Sequence, residues 1–364
     1  MDNIRRIKAL GIMSGASMDG AEFSLIDTDG IDVYEIYKSQ KFLYPEELKR
    51  IVRNAIENLT EESISAADCE FTDFIIKAFE EFSGSCDEKI DIIGFEGHTI
   101  LFNPENHCIA QIGDAQKLSN CSKIKTVYHF HHNDIALGGQ GSPISTAYFA
   151  SIASKMERPL VFLNIGGTTM LIFIGDLGNV IAFDCGTGNN IINQFMQKHA
   201  FMDMDYNGKY AISGKIDEKV VQSMMKTKYI HKTPPKSAPL NIFDEKIEHM
   251  EGLSVADGAA SATDFVAESI VFQMRKFLPE MPKKVLVCGG GAHNPTLKRF
   301  LRKKLPECVV ETADECGFDM STMEAQARGF LAVRRLYNMP ISFPTTTGVI
   351  YPAIGGDLIY PSED

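Results

Sequence analysis

The chain has 364 residues, enough for two domains of ordinary size. Hydrophobic residues make up 44% and charged residues 23%, a globular mixture that excludes disordered and fibrous classes. With 36 Lys and Arg against 48 Asp and Glu, the net charge of −12 argues against general nucleic-acid binding. No apolar run approaches the roughly 18–20 residues of a membrane span, and the opening MDNIRRIKAL lacks a secretory apolar core, so a cytoplasmic location without membrane attachment is expected. The eight cysteines include no CxxC spacing and read as reduced, half-apolar residues.

In chain order, RIKALGIMSG reads as a buried strand entering a Gly/Ser turn, and AEFSLIDT as a second strand. Asp29-Gly30 is a hairpin signal, and IDVYEIYKSQKF continues as a third strand. YPEELKRIVRNAIENL opens with proline at a helix entry and carries apolar residues at helical spacing; Ser63 to Phe82 does likewise. IDIIGFEG and HCIAQIGD are strand-like. Near residue 159 the opening pattern returns: PLVFLNIGG, TTMLIFIG, a DLGN turn and VIAFDCG, followed by the helix NNIINQFMQKHA. Two strand–hairpin–strand units, each opening on a glycine loop, predict an internally duplicated α/β protein. A later unit runs KKVLVCGGG, NPTLKRFLRKKL, CVVETA and then a helix from Met320 to about Asn338. This alternation favours parallel or mixed sheets covered by helices. The domain join is placed near HHNDIALGGQGSP, where Gly138, Gly139, Gly141 and Pro143 break the periodicity. That makes residues 1–138 one lobe and 139–364 the other, with the last helix and tail packing back on the first.

Three glycine loops each follow an apolar strand: Gly11–Gly20, Asn164–Thr169 and Cys288–Pro295. Backbone amides in such turns can face phosphate oxygens, because glycine permits close approach. One such loop alone would be an ordinary strand turn; three, two of them at matching places of a duplicated pattern, point to phosphate binding. Hydroxyls of Ser14, Ser17, Thr168 and Thr169 add neutral donors, and the third loop leads into a helix near Asn294. Walker A and GxGxxG patterns are absent. Asp19 in the first loop, Asp184 at a strand end and Glu324 early in the last helix are the acidic candidates for Mg²⁺ or base chemistry. The plainer readings are a helix cap for Asp184 and a solvated helix residue for Glu324. His129 and His131 would share one strand face, with His132 and Asp134 near. Without a fourth ligand at fixed spacing, substrate-lining or structural roles are preferred over a metal.

In this order, GIMSGASMDG, DIALGGQGSP, LNIGGTTM, FDCGTGNN, DYNGKYAISGK, PPKS, CGGGAHNP, MEAQARGFLA and TTGVIYPAIGG resemble the anhydro-N-acetylmuramic acid kinases. The resemblance spans roughly residues 7–360 and implies a duplicated actin-like/Hsp70-like ATPase fold, two lobes with mixed sheets around a central cleft. It implies ATP and Mg²⁺ as cofactors, a cell-wall sugar as substrate and, as in many members, a homodimer. Asp184 would be the general base that takes a proton from water attacking the anomeric carbon, while the released O6 takes the γ-phosphoryl group. An ordinary Asp pKa near ~3.9 would keep it ionised. Glu324 would assist near the water or sugar. Gly11, Ser14, Gly15, Ser17 and Asp19 would hold phosphates and metal, Gly166, Gly167 and Thr168 the second phosphate loop, and Gly289, Gly290, Gly291 and Asn294 the nucleoside. Glu96, His98, Thr99, His131, Gly139, Gln140 and Asn189 would line the sugar.

Some positions depart from the family. Ala16 replaces a threonine, Glu96-Gly97-His98-Thr99 stands for His-Gly-Gln-Thr, and His129-Phe130-His131 for Asp-Phe-Arg. Ala115 and Thr187 each replace a proline. Loss of the arginine matters most, since His131 would be only partly charged near neutral pH. A kinase for another anhydro sugar, such as levoglucosan, and a non-catalytic ATP-binding regulator are the alternatives.

Overall fold

A computed structural model describes residues 5–15, 18–239 and 242–363. They fall into two compact units, residues 1–152 with 322–364, and residues 153–321.

The first unit carries a six-stranded mixed sheet. Its strands are β1 (Ile7–Ser14), β2 (Gly20–Thr28), β3 (Val33–Leu43), β4 (Ile92–Phe95), β7 (Thr126–Tyr128) and, from the tail, β13 (Asp357–Ile359); a separate hairpin pairs β5 (His98–Asn103) with β6 (Cys108–Ile112). The order is β3-β2-β1-β4-β7-β13. Strands β1, β2 and β3 pair antiparallel, while β1–β4 and β4–β7 are parallel. The second unit repeats the arrangement with β8 (Leu160–Ile165), β9 (Thr168–Ile174), β10 (Val180–Thr187), β11 (Lys284–Cys288) and β12 (Val309–Thr312) in the order β10-β9-β8-β11-β12. Again the hairpin pairs are antiparallel and the β8–β11–β12 pairs parallel. The duplication expected from the glycine-loop pattern is therefore present as shared strand order and direction, the signature of the actin-like ATPase fold.

Alternation along β1 sorts its side chains between two layers. Leu10 and Ile12 join Phe23, Leu25, Phe71, Phe79, Phe82, Ile93 and Phe95 in a core beneath helices Glu46–Asn58 and Glu61–Gly84. Burying each such side chain is worth roughly 1.5–3 kcal/mol. The opposite face receives the last helix, Met323–Leu336. A Cβ at Gly11 would lie 1.7 Å from the Ala325 carbonyl oxygen, and one at its register partner Gly94 would lie 2.1 Å from that of Arg328. These two glycines form the slot in which the helix lies, so Gly11, expected to face phosphate, is required by packing.

The join lies at 152/153 and not at 138/139, and the chain returns to the first unit at Thr322. Residues 139–152 stay with the first unit because their polar groups bond there. Gln140 N donates to Thr347 O (2.8 Å). Ser145 Oγ donates to Glu324 (2.7 Å), and Tyr148 Oη to Gln326 (2.5 Å).

The second unit is organised by a helix the periodicity did not reveal, Val255–Phe277. It is buried on nearly every side, and its run of Ala, Ser, Thr and Gly offers no polar face to mark it.

Candidate active site

In the first unit, the turn after β1 presents Ser14, Gly15 and Asp19; Ala16 and Ser17 lie outside the described residues. Ser14 is turned inward. Tyr44 Oη donates to its Oγ (2.6 Å), and Ser14 in turn meets His98 Nδ1 at 2.7 Å. Burial pushes His98 down to about 4, so it is neutral, and a serine proton on Nδ1 leaves the ring proton on Nε2. That Nε2 is buried without a partner among the described residues. Asp19 is half exposed; Lys41 Nζ bridges it (2.8 Å) to Glu22 (3.3 Å). Burial raises Glu22 to about 7 against the pull of Lys41, with Asp19 and Glu324 adding to the rise.

Behind this turn lies a buried charge network. The side chains of Glu96 and Arg328 are 3% and 4% exposed. Arg328 Nε donates to Glu96 Oε2. Its Nη1 reaches Ser145 Oγ (2.8 Å) and Glu324 Oε2 (3.3 Å). Glu96 Oε1 receives His131 Nε2 (2.5 Å) and Gln111 Nε2 (2.9 Å). Gln111 also donates to Thr99 Oγ1 (3.1 Å), opposite it in the β5–β6 register. Burial would raise the Glu96 pKa, but Arg328 and His131 outweigh it and hold it at about 2. Burial likewise lowers His131, yet Glu96 wins and the pKa is raised. His131 is therefore more cationic than the ordinary histidine expected from the sequence.

The turn at 138–141 is fixed by Asp134, which accepts from Gly141 N (2.6 Å) and Thr347 Oγ1 (2.5 Å). Gly139 O meets His107 Nδ1 (3.2 Å), and the buried Gln140 Oε1 has no partner among the described residues. His129 and His131 do not share a strand face. β7 ends at Tyr128, His129 turns through φ +59° to pair with Asp357, and His131 precedes the helix His132–Ala136.

In the second unit, Asp184 lies within β10 and not at its end, at a bulge between Asp184 and Gly186; pairing with β9 carries the strand on to Thr187. It does not cap the following helix Asn189–Ala200, whose N-cap is Gly188. Asp184 is 4% exposed. Ala238 N donates to its Oδ2 (2.9 Å), Asp184 N donates to Lys236 O (3.0 Å), and Tyr229 Oη donates to Asp184 O (3.0 Å). Burial lifts its pKa to about 7, against the Ala238 amide and the Lys236 charge. The ordinary carboxylate value expected from the sequence does not hold, because the site removes water and, among the described residues, supplies no bonded cation.

Two glycine loops meet at the same end of this sheet. Gly188 N and Asn189 N donate to Gly167 O (2.7 Å) and Gly166 O (2.8 Å). Asn189 Nδ2 donates to Ile165 O (3.2 Å), and Thr168 opens β9. Gly289 has φ +71°, and a Cβ there would lie 2.3 Å from Asn164 Oδ1. A Cβ at Gly166 or Gly290 would meet the nearest described atom at 3.8 or 3.4 Å, so internal packing does not demand glycine at either position. Gly291 lies against Ile165. Asn294 turns its Oδ1 to Thr296 N (3.0 Å) and Leu297 N (3.1 Å), capping helix Pro295–Lys304.

Arg328, Ser145, Gln111, Tyr44 and Lys236 were not singled out from the sequence. Arg328 carried a usable signal, a charge four residues after Glu324 on an otherwise apolar helix face. Lys236 lies within the PPKS motif that carries part of the family resemblance.

A family model described as anhydro-N-acetylmuramic acid kinase matches residues 7–361. An anhydro-N-acetylmuramic acid kinase of Acidiphilium cryptum is 34% identical over 97% of this chain and 98% of its own. One from Bradyrhizobium diazoefficiens is 35% identical over 98% of this chain and 100% of its own. Among solved structures, the Acidaminococcus fermentans (R)-2-hydroxyglutaryl-CoA dehydratase component A superposes with a TM-score of 0.50 at 12% identity, covering 91% of this chain and 99% of that one, a likeness of fold alone. The strand order, the paired glycine loops and the full-length match agree: this chain belongs to the anhydro-N-acetylmuramic acid kinase family.

Proposed function

We propose that the protein is an ATP-dependent kinase that opens 1,6-anhydro-N-acetylmuramic acid with water and phosphorylates its O6, in cell-wall sugar recycling. The observation that carries this reading is Asp184: a buried carboxylate with a pKa of about 7, at the bulge of β10, the strand that runs on into the Gly188 turn bonded to Gly166 and Gly167. A base tuned near the working pH combines a useful ionised fraction with real proton affinity.

In this reading Asp184 takes a proton from water as the water oxygen bonds to C1. The C1–O6 bond breaks, and O6 bonds to the γ-phosphorus as the bond to ADP breaks. The products are the 6-phosphorylated open sugar and ADP. The second-unit loops bring amides to the phosphates, and positioning supplies most of the acceleration. For Mg²⁺, the half-exposed Asp19 carboxylate fits a metal that keeps its waters and takes one or two protein carboxylates. When bound, the ion would neutralise β- and γ-phosphate charge. Glu324, held by Ser145 and Arg328, lines the sugar side with Glu96, His98, Thr99, His131, Gly139 and Gln140. Buried polar atoms without partners among the described residues, on His98, Gln111, Gln140 and Thr146, suit a ligand rich in hydroxyl and amide groups.

Sugar-dependent ADP release tests the reading. 1,6-Anhydro-N-acetylmuramic acid is expected to stimulate turnover above levoglucosan and unbridged sugars, and Asp184→Asn to abolish it. Silence with every 1,6-anhydro sugar, or tight ATP binding without turnover, would defeat the proposal.

A further inference from the structure

Lys236 is 0% exposed, an uncommon place for an ammonium. Its Nζ donates to the carbonyls of Tyr229 (2.9 Å) and Ile230 (3.3 Å), at the end of the short helix Lys228–His231. It also lies over the rings of Tyr229, Phe277 and Phe183, at 4.8, 5.1 and 5.8 Å from their centroids. Among the described residues no carboxylate lies within ion-pair distance of it. A buried charge without a bonded counter-ion is costly, and a methionine would fill the same aromatic box without that cost. Packing alone therefore does not account for lysine here.

The segment that Lys236 anchors is the one that holds Asp184. Lys236 O accepts from Asp184 N, Ala238 N donates to Asp184 Oδ2, and Tyr229 Oη donates to Asp184 O. Phe183, the neighbour of Asp184 on β10, forms one wall of the lysine's box. We propose that Lys236 is the positioning residue of Asp184: its ammonium draws the 229–238 segment onto β10, and its charge, held behind the strand, favours the ionised aspartate. The inference rests on the reading of Asp184 as the base.

The electrostatics around the lysine agree in sign. Burial lowers its pKa to about 8; Cys185 and Asp184 on β10 raise it, while Lys232 and Lys276 lower it. At neutral pH it is thus mainly charged. As pH rises through about 8 the charge is lost, after Asp184 has already ionised.

The experiment compares Lys236→Met and Lys236→Arg in the full-length enzyme across pH, reading sugar-dependent kcat/KM. Removing a nearby cation raises an acid's pKa, so the Met variant is expected to move the acidic limb upward by about half to one pH unit. Its loss is then several-fold at pH 6.5 and largely recovers by pH 8.5, while the Arg variant keeps the limb near its original place. A folded Met variant whose limb does not move, or which loses activity equally at every pH, overturns the proposal.

Should neither variant fold, [ε-13C]lysine labelling of the unaltered protein and of Asp184→Asn gives the same answer. Linkage requires the coupling to be reciprocal, so the buried lysine's titration midpoint must fall in Asp184→Asn. An unmoved midpoint overturns the proposal. Turnover retained in Asp184→Asn removes the reading of Asp184 as base, whereas the lysine titration tests the coupling itself.

Discussion

The two units share a sheet plan but treat a buried carboxylate in opposite ways. Glu96 follows β4 of the first unit, and Asp184 lies at the bulge of β10 in the second; both are nearly inaccessible, at 3% and 4% exposure. Glu96 is held at about 2 and Asp184 is lifted to about 7. Burial pushes both upward, so burial does not decide the outcome. The difference lies in the partners: Glu96 has a guanidinium and an imidazole bonded to its oxygens, whereas among the described residues the Asp184 carboxylate accepts from one backbone amide, and the nearby lysine has its ammonium bonded elsewhere. A fully neutralised carboxylate is a structural anion. One left short of positive charge keeps affinity for a proton, and only the second can act as a base near neutral pH.

The largest expected effect comes from removing that base. Asp184→Asn should cost roughly 10²–10⁴ in sugar-dependent kcat, measured by ADP release, the range for loss of general-base catalysis. Next, Arg328→Met leaves Glu96 buried without its main counter-charge; breaking such a pair costs about 3–5 kcal/mol, read from urea or thermal unfolding. If it costs no more than a surface substitution, the contrast between the two carboxylates is wrong.

The pH dependence of stability sharpens the comparison, because the two groups have opposite signs. The folded pKa of Asp184 is raised from an ordinary 3.8 to about 7, so its favourable term is complete below the ordinary value and is lost as pH rises through about 7. Asp184→Asn should therefore be more stable than the parent above pH 7, by an amount that vanishes below about pH 4. Glu96, with its pKa lowered from 4.5 to about 2, contributes stability above the ordinary value and loses it as pH falls toward 2. Glu96→Gln should be less stable at pH 7, with the gap closing on acidification. Melting temperatures from pH 3 to 8 test both; parallel curves for the two variants would contradict the assignment.

The smallest effect concerns Asn294. As the cap of helix Pro295–Lys304, its replacement by Ala should cost about 1 kcal/mol in unfolding. A nucleotide affinity that falls while stability stays unchanged would return the side chain to the nucleoside role.

Much of the fold was legible where the signals were local. Asp29-Gly30, Pro45 and the apolar strands ending in glycine mark turns and element ends through backbone preferences of single residues, and β1, β2, β8 and β9 lie where those signals put them. The helix Val255–Phe277 escaped because it is buried all round, leaving no polar stripe to count. Gly11 read as a phosphate glycine because a sequence does not show that Ala325 will press against it.

By itself the sequence determined the duplicated α/β plan, the three glycine turns and the acidic residues worth weighing, since each depends on neighbours in the chain. Only the tertiary structure decided their chemistry. Arg328 reaches Glu96 across 232 positions, and Ala238 reaches Asp184 across 54. A carboxylate's proton affinity depends on the water it loses and the charges it gains, and both are supplied by residues that become neighbours only when the chain folds.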